Sequence, residues 1–133
     1  MALASFTFLI LSKRSDDLLF LDFPDKIKAL QWHSYEVADL ENNSDVTILA
    51  SSPVTKYQIF KYKNNAYGIQ FHIEIKSTTV SDWGCIPEYK NALEESLGSN
   101  ALSEFEKIAS DNIQDMNEHA SLEHLICRRS ACA

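Results

Sequence analysis

Cysteine is scarce in this 133-residue chain: Cys85, Cys127 and Cys132 are the three, and none precedes residue 85. An odd number at spacings that match no metal-ligand or disulfide pattern points to free thiols in a reducing, cytoplasmic compartment. Glycine and proline are as rare, three of each, which argues against long disorder. Basic clusters are missing as well. Twelve Lys and Arg against nineteen Asp and Glu leave a net charge of −7. Phosphate binding needs focused positive charge, so no nucleic-acid partner is expected. No apolar run is long enough to span a membrane, so no membrane partner is expected either. The opening "MALASFTFLIL" has the apolar run of a signal peptide. It lacks the basic leader and the small-x-small cleavage site, and Lys13 and Arg14 follow it. It reads as a buried strand.

What is present is an ordinary globular composition, 45% apolar and 23% charged, long enough for one domain over residues 1–133 with its own core. The pattern runs strands first, over 5–76, and helices last, over 86–129. "SFTFLIL", 5–11, is apolar on both faces, as an interior strand would be. "SKRSDDLLFLDFPDK" reads as a loop with one short helical turn, and "IKALQW" as a strand. "ENNSD", 41–45, reads as a loop and "VTILAS", 46–51, as a strand. "YQIFKY" and "AYGIQF" flank "KNN", 63–65, and together predict a β-hairpin. "IPEYKNALEESLG" predicts a helix, with Pro87 in its first turn, Gly98 at its stop, and Tyr89, Leu93 and Leu97 on one face. "ALSEFEKIASDNIQDM" places Leu102, Phe105, Ile108, Ala109, Ile113 and Met116 on one stripe. "SLEHLICRR" adds a last apolar piece.

The stretch "YGIQFHIEIK", 67–76, carries the candidate chemistry. In a strand, side chains at i and i+2 point the same way, so Gln70, His72 and Glu74 share one side and Phe71 and Ile73 the other. Two strand steps span roughly 6.5 Å. A glutamate can cross that gap and accept a hydrogen bond from an imidazole, which orients a catalytic base. The bland alternative is a surface His–Glu contact of little energy. Spacing alone does not separate the two.

The string itself does more. "GIQFHIE" resembles the G-x-Q-F-H-x-E signature of class I glutamine amidotransferases, in which proline or leucine usually follows the histidine. "ALQWHSYEV", "VTILASSP" and "YQIFKYKNNAYGIQFHIE" follow the order and spacing of the second half of that domain. They are similar to the branch that contains the amidotransferase part of GMP synthase, and "DDLLFLDFPDKIKALQWH" looks like its approach to this region. The resemblance covers roughly residues 5–80. It implies an α/β fold: a partial flavodoxin-like sheet, a hairpin carrying the His–Glu pair, and C-terminal helices. It implies hydrolysis of the glutamine side-chain amide through a Cys-His-Glu triad, with no cofactor and no metal. His72 would be the general base and Glu74 would orient it. Trp32, His33, Ser34 and Tyr35 would help hold the substrate, with Ser34-Tyr35 standing where related sequences often carry Gly-Asp.

The third member of that triad is missing. The family's cysteine sits in a G-x-C-x-G elbow before the histidine, where backbone N–H groups form the oxyanion hole. Here the first glycine is Gly68 and the first cysteine is Cys85. Cys85, in "DWGCIPE", follows the histidine, and no strand leads sharply into it. His33 reads as a pocket-wall residue. His119 and His124 read as solvent-exposed, at a spacing that fits no metal motif. Cys127 and Cys132, beside Arg128 and Arg129, read as part of a tail.

The expectation is therefore the C-terminal part of a truncated amidotransferase-like domain, inactive by itself. Two alternatives stand beside it: a γ-glutamyl peptide hydrolase with the same triad, and a non-catalytic interaction module. The substrate of the complete domain would be glutamine or a γ-glutamyl compound. A shortened sheet would expose an edge for self-association or for a partner chain.

Overall fold

A computed structural model describes residues 3–11, 17, 20, 23–64, 66–72 and 75–130, at the backbone alone for 3–11 and 119–130. Its strands are β1 (Leu3–Leu11), β2 (Lys26–His33), β3 (Val46–Ser51), β4 (Ile59–Tyr62) and β5 (Ala66–Ile69). Its helices are α1 (Thr79–Gly84), α2 (Pro87–Leu97) and α3 (Ala101–Ser130), with one 3₁₀ turn over Leu40–Asn42. The strands form one sheet in the order β2-β1-β3-β4-β5, and every pair is antiparallel. This is the expected α/β architecture.

The alternation of β2 explains why the sheet is buried on both faces. Ile27 and Ala29 point one way, into a cluster with Phe20, Phe23, Leu49, Ala50, Ile59 and Phe71. Leu30 points the other way, into a cluster with Ile75, Val80, Leu93, Ala101, Phe105, Ala109 and Met116, contributed largely by the helices. Lys28 shares the helix side, and its ammonium donates to Asn112 and lies 3.8 Å from Asp115, both on α3. Leu30 is fully buried, and its truncation to alanine would cost about 2–5 kcal/mol.

The hairpin forms as predicted, with Tyr62 opposite Ala66 and Phe60 opposite Gly68. Lys63 takes the left-handed conformation the tight turn demands, at φ 51. Gly68 is needed for space. A Cβ there would lie 2.2 Å from the tip of the Phe60 ring. Beneath the hairpin, the buried carboxylate of Asp17 accepts from Lys61 at 2.8 Å and from the Tyr67 hydroxyl at 3.1 Å. The hydrogen bond to Asp17 holds the Lys61 ammonium above its ordinary pKa. Burial pushes the Tyr67 phenol up as well.

Three expectations are corrected. First, "YGIQFHIEIK" is not one strand. β5 ends at Ile69, and the chain crosses to β2, where His72 bridges Leu30. The physical reason is an unsatisfied carbonyl on the outer edge of β2, which accepts the His72 N–H at 2.8 Å. Second, of the face read on α2 only Leu93 is buried, while Tyr89 and Leu97 are exposed. A spacing of four drifts by about 40° per step at 3.6 residues per turn, so the residues either side of an inward Leu93 rotate toward solvent. α3 packs against α1, α2 and the sheet and so buries a wider face: Ala101, Phe105 and Ala109 are all buried, and Ile108 lies outside that face and is exposed. Third, "SLEHLICRR" continues α3 rather than forming a separate piece. Gly98 closes α2 at φ 104, with nothing near its missing Cβ, so its role there is conformational. Among the described residues, no helix is long and apolar enough to cross a membrane.

Candidate active site

β2 ends in Trp32 and His33, and the irregular segment 34–39 follows. The bridge to Leu30 brings His72 alongside them. α1 adds Trp83, and α2 adds Tyr89 and Ala92. These residues, with Ser34 and Tyr35, enclose a cavity of about 440 Å³. Trp32 is the wedge between sheet and helices. Its ring meets Trp83 at 5.5 Å, Phe105 at 5.6 Å and Tyr89 at 6.4 Å between centroids. The Trp83 and Phe105 contacts are edge-to-face, the geometry favoured by aromatic quadrupoles.

The His72 ring is fixed on two sides. Its Nε2 lies 3.3 Å from the Trp32 carbonyl, and its face meets Trp83 edge-on at 4.6 Å. A carbonyl oxygen only accepts, so Nε2 carries a proton in this contact. In the neutral ring the basic lone pair is then on Nδ1. His33 is different. Both of its ring nitrogens are buried without a hydrogen-bond partner among the described residues. A polar ring in that condition is destabilising until something in the cavity or beside it meets it. Tyr35 stands 90% exposed on the rim.

The cavity thus gathers Trp32, His33, Ser34, Tyr35 and His72, all of which the sequence singles out. Glu74 lies outside the described residues, as do the side chains of His119, His124 and Cys127 and the whole of Cys132. Cys85 is a free, exposed thiol at the C-terminal cap of α1. Among the described residues, no cluster of His, Cys, Asp and Glu could hold a metal ion. Trp83, Tyr89 and Ala92 were missed as cavity residues. The six-residue α1 has too few apolar positions to show a period, and Tyr89 looked like a core position of α2. Two aromatics flanking Pro87, just after the signature, were the available signal.

A family model described as glutamine amidotransferase class-I matches residues 7–82, more than half of the chain. A GMP synthase (glutamine-hydrolyzing) subunit of Picrophilus torridus is 34% identical over 70 residues, which are 52% of this chain and 36% of that protein. The crystal structure of a glutamine amidotransferase from Thermotoga maritima superposes with a TM-score of 0.61 at 25% identity, over 92% of this chain and 49% of that one. The structure of SMU.1228c shares the fold, with a TM-score of 0.69 at 17% identity over 96% and 51% of the two chains. The chain spans about half the length of these solved structures and about a third of the curated relative. The matched region holds the second half of β1, all of β2 to β5 and the segment that carries His72 to the cavity, and the chain belongs to the glutamine amidotransferase class-I family.

Proposed function

We propose that this chain supplies the base side of a glutamine-hydrolysing site. The observation that carries the reading is the shared cavity in which Trp32, His33, Ser34, Tyr35 and His72 meet. In the complete site His72 takes the proton of a cysteine thiol. The thiolate attacks the side-chain carbonyl carbon of glutamine, and the imidazolium returns the proton to the leaving nitrogen. Ammonia departs and a γ-glutamyl thioester remains, which water hydrolyses. Glu74 orients the imidazole by accepting the Nε2 proton that the Trp32 carbonyl otherwise holds, which leaves Nδ1 as the base. His33, with its buried and unmatched ring nitrogens, is suited to hydrogen-bond the bound amino acid or its neighbouring wall.

The cysteine elbow comes from outside these 133 residues, which contain no Gly-x-Cys-x-Gly. The sheet supports a partner segment. β1 pairs with β3 only at Ile10 and Leu11, so among the described residues Leu3–Leu9 pair with β2 alone. An open strand edge of that length is a template for further strands. In this reading residues 1–133 are one unit of a larger cytoplasmic amidotransferase domain, and the missing strands and elbow belong to its other part.

Two measurements test this. The two tryptophans, Trp32 and Trp83, both line the cavity, so L-glutamine at millimolar concentration should change their fluorescence, and His33→Ala should abolish the change. A glutaminase assay of the chain alone should show no turnover above background, because loss of a triad member typically costs on the order of 10⁴–10⁶ in rate. Normal turnover that His72→Ala abolishes would overturn the division of the site.

A further inference from the structure

Gln70 belongs to the signature stretch, yet the chemistry above gives it no task. Its side chain makes two hydrogen bonds, to two separate segments. Oε1 accepts from the Val37 N–H at 2.8 Å, and Nε2 donates to the Tyr57 carbonyl. Its backbone N–H goes to the Gln58 carbonyl at 3.0 Å. One carboxamide therefore joins the loop after β2 to the segment entering β4, two residues before His72.

The loop has little else to hold it. Residues 35–39 have no regular structure, and Ser34, Tyr35 and Glu36 are exposed. Among the described residues, the Val37–Gln70 bond is the tertiary hydrogen bond of the 34–38 segment. Ser34 and Tyr35 line the cavity opposite the helices, so their distance from His72 is set through this contact. The residue type is also specific. A carboxamide offers an acceptor and a donor together, whereas glutamate keeps only the acceptor and methionine, of similar length, replaces the amide with a weakly accepting sulfur and no donor.

We infer that Gln70 is a positioning residue: its carboxamide clamps the 34–38 loop to the His72 segment and so fixes the mouth of the cavity. The clamp stands on geometry alone, and its consequence for the substrate rests on the glutamine-site reading.

Amide hydrogen exchange by NMR on the whole chain reads the clamp directly. In the wild type the Val37 amide should exchange about tenfold more slowly than those of Glu36 and Ala38. Gln70→Met should speed Val37 by roughly five- to tenfold, the worth of one such bond. The amides of His72 and Gln58, which bond to the Leu30 and Ala50 carbonyls, should stay within about twofold. Gln70→Glu, which retains the acceptor, should fall between. A wild-type Val37 as fast as its neighbours overturns the clamp, and this comparison needs no variant to fold. Uniform acceleration in Gln70→Met overturns it too, because that is the mark of an ordinary core residue. Titration with L-glutamine through tryptophan fluorescence reads the consequence, with affinity expected to fall about tenfold in Gln70→Met. Unchanged affinity with a released Val37 overturns the positioning role. A protected Val37 in a wild type that never responds to glutamine overturns the substrate reading and leaves the clamp standing.

Discussion

Replacing Lys61 with methionine removes a charge from beneath the hairpin and keeps the length of the side chain. In the folded chain Lys61 Nζ lies 2.8 Å from Asp17, whose side chain is 3% exposed, while Lys61 itself is 21% exposed. Breaking a fully buried ion pair by removing one partner costs about 3–5 kcal/mol. An exposed pair is worth about 0–1 kcal/mol. Asp17 is buried and Lys61 still reaches water, so the expected loss lies between these limits, at about 2–3 kcal/mol. The Tyr67 hydroxyl, 3.1 Å from the same carboxylate, limits the damage without supplying the charge. Urea unfolding followed by fluorescence of Trp32 and Trp83 measures the loss. Asp17→Asn and the double variant complete a cycle, and their coupling should exceed about 1 kcal/mol because the two groups touch. The cluster lies on the face of the sheet away from the helices, so the response to glutamine should persist in every variant that folds. A Lys61→Met midpoint that matches the wild type, or strictly additive losses, would show that this contact does not hold the hairpin.

Alkaline titration should reveal the same cluster. Lys61 is held above its ordinary 10.5, chiefly by the Asp17 bond, so its stabilisation is complete below that pH and disappears as pH rises through the raised value. Tyr67 is raised from 10.0, chiefly by burial, so the unfolded phenol ionises first and stability falls in the same direction. Stability should therefore decline above about pH 10, and Lys61→Met should flatten part of that decline. Gly68→Ala should cost about 1–3 kcal/mol by displacing the Phe60 ring. Phe60→Ala in the same chain should recover most of the difference between Gly68 and alanine; a loss unaffected by the second change would refute the clash. Gly98→Ala should cost about 1 kcal/mol in thermal unfolding through its positive φ, and a neutral result would show that the end of α2 relaxes freely. Sedimentation of the purified chain should show self-association or recruitment of a partner segment through the edge of β1 that is unpaired among the described residues, and a sharp monomer peak would count against that edge.

Much of the fold was legible because its local signals agree with one another. β3 coincides with the strand read at 46–51, and the hairpin turn lies where two β-rich runs meet at Lys63-Asn64. α2 begins at Pro87 and is capped by Gly98, as its terminal residues require. Elements failed to show where the pattern was too short or too long-range. α1 is six residues long, and a spacing of four on α2 mistook rim residues for core. The apparent length of the strand at 67–76 misled because alternation says which side a residue faces and not which neighbour takes its hydrogen bonds.

Residue identity by itself determined the family and singled out His72 and the stretch from Trp32 to Tyr35 as site candidates, because signature spacing and side-chain chemistry are local properties of the chain. Tertiary structure decided how those pieces meet. An open carbonyl on β2 captures the His72 N–H, two helices beyond the signature supply Trp83 and Tyr89 as the facing wall, and the Gln70 carboxamide reaches back to Val37. Each of these is a contact between segments far apart in sequence, chosen by which unsatisfied donor or apolar face was within reach once the sheet had formed.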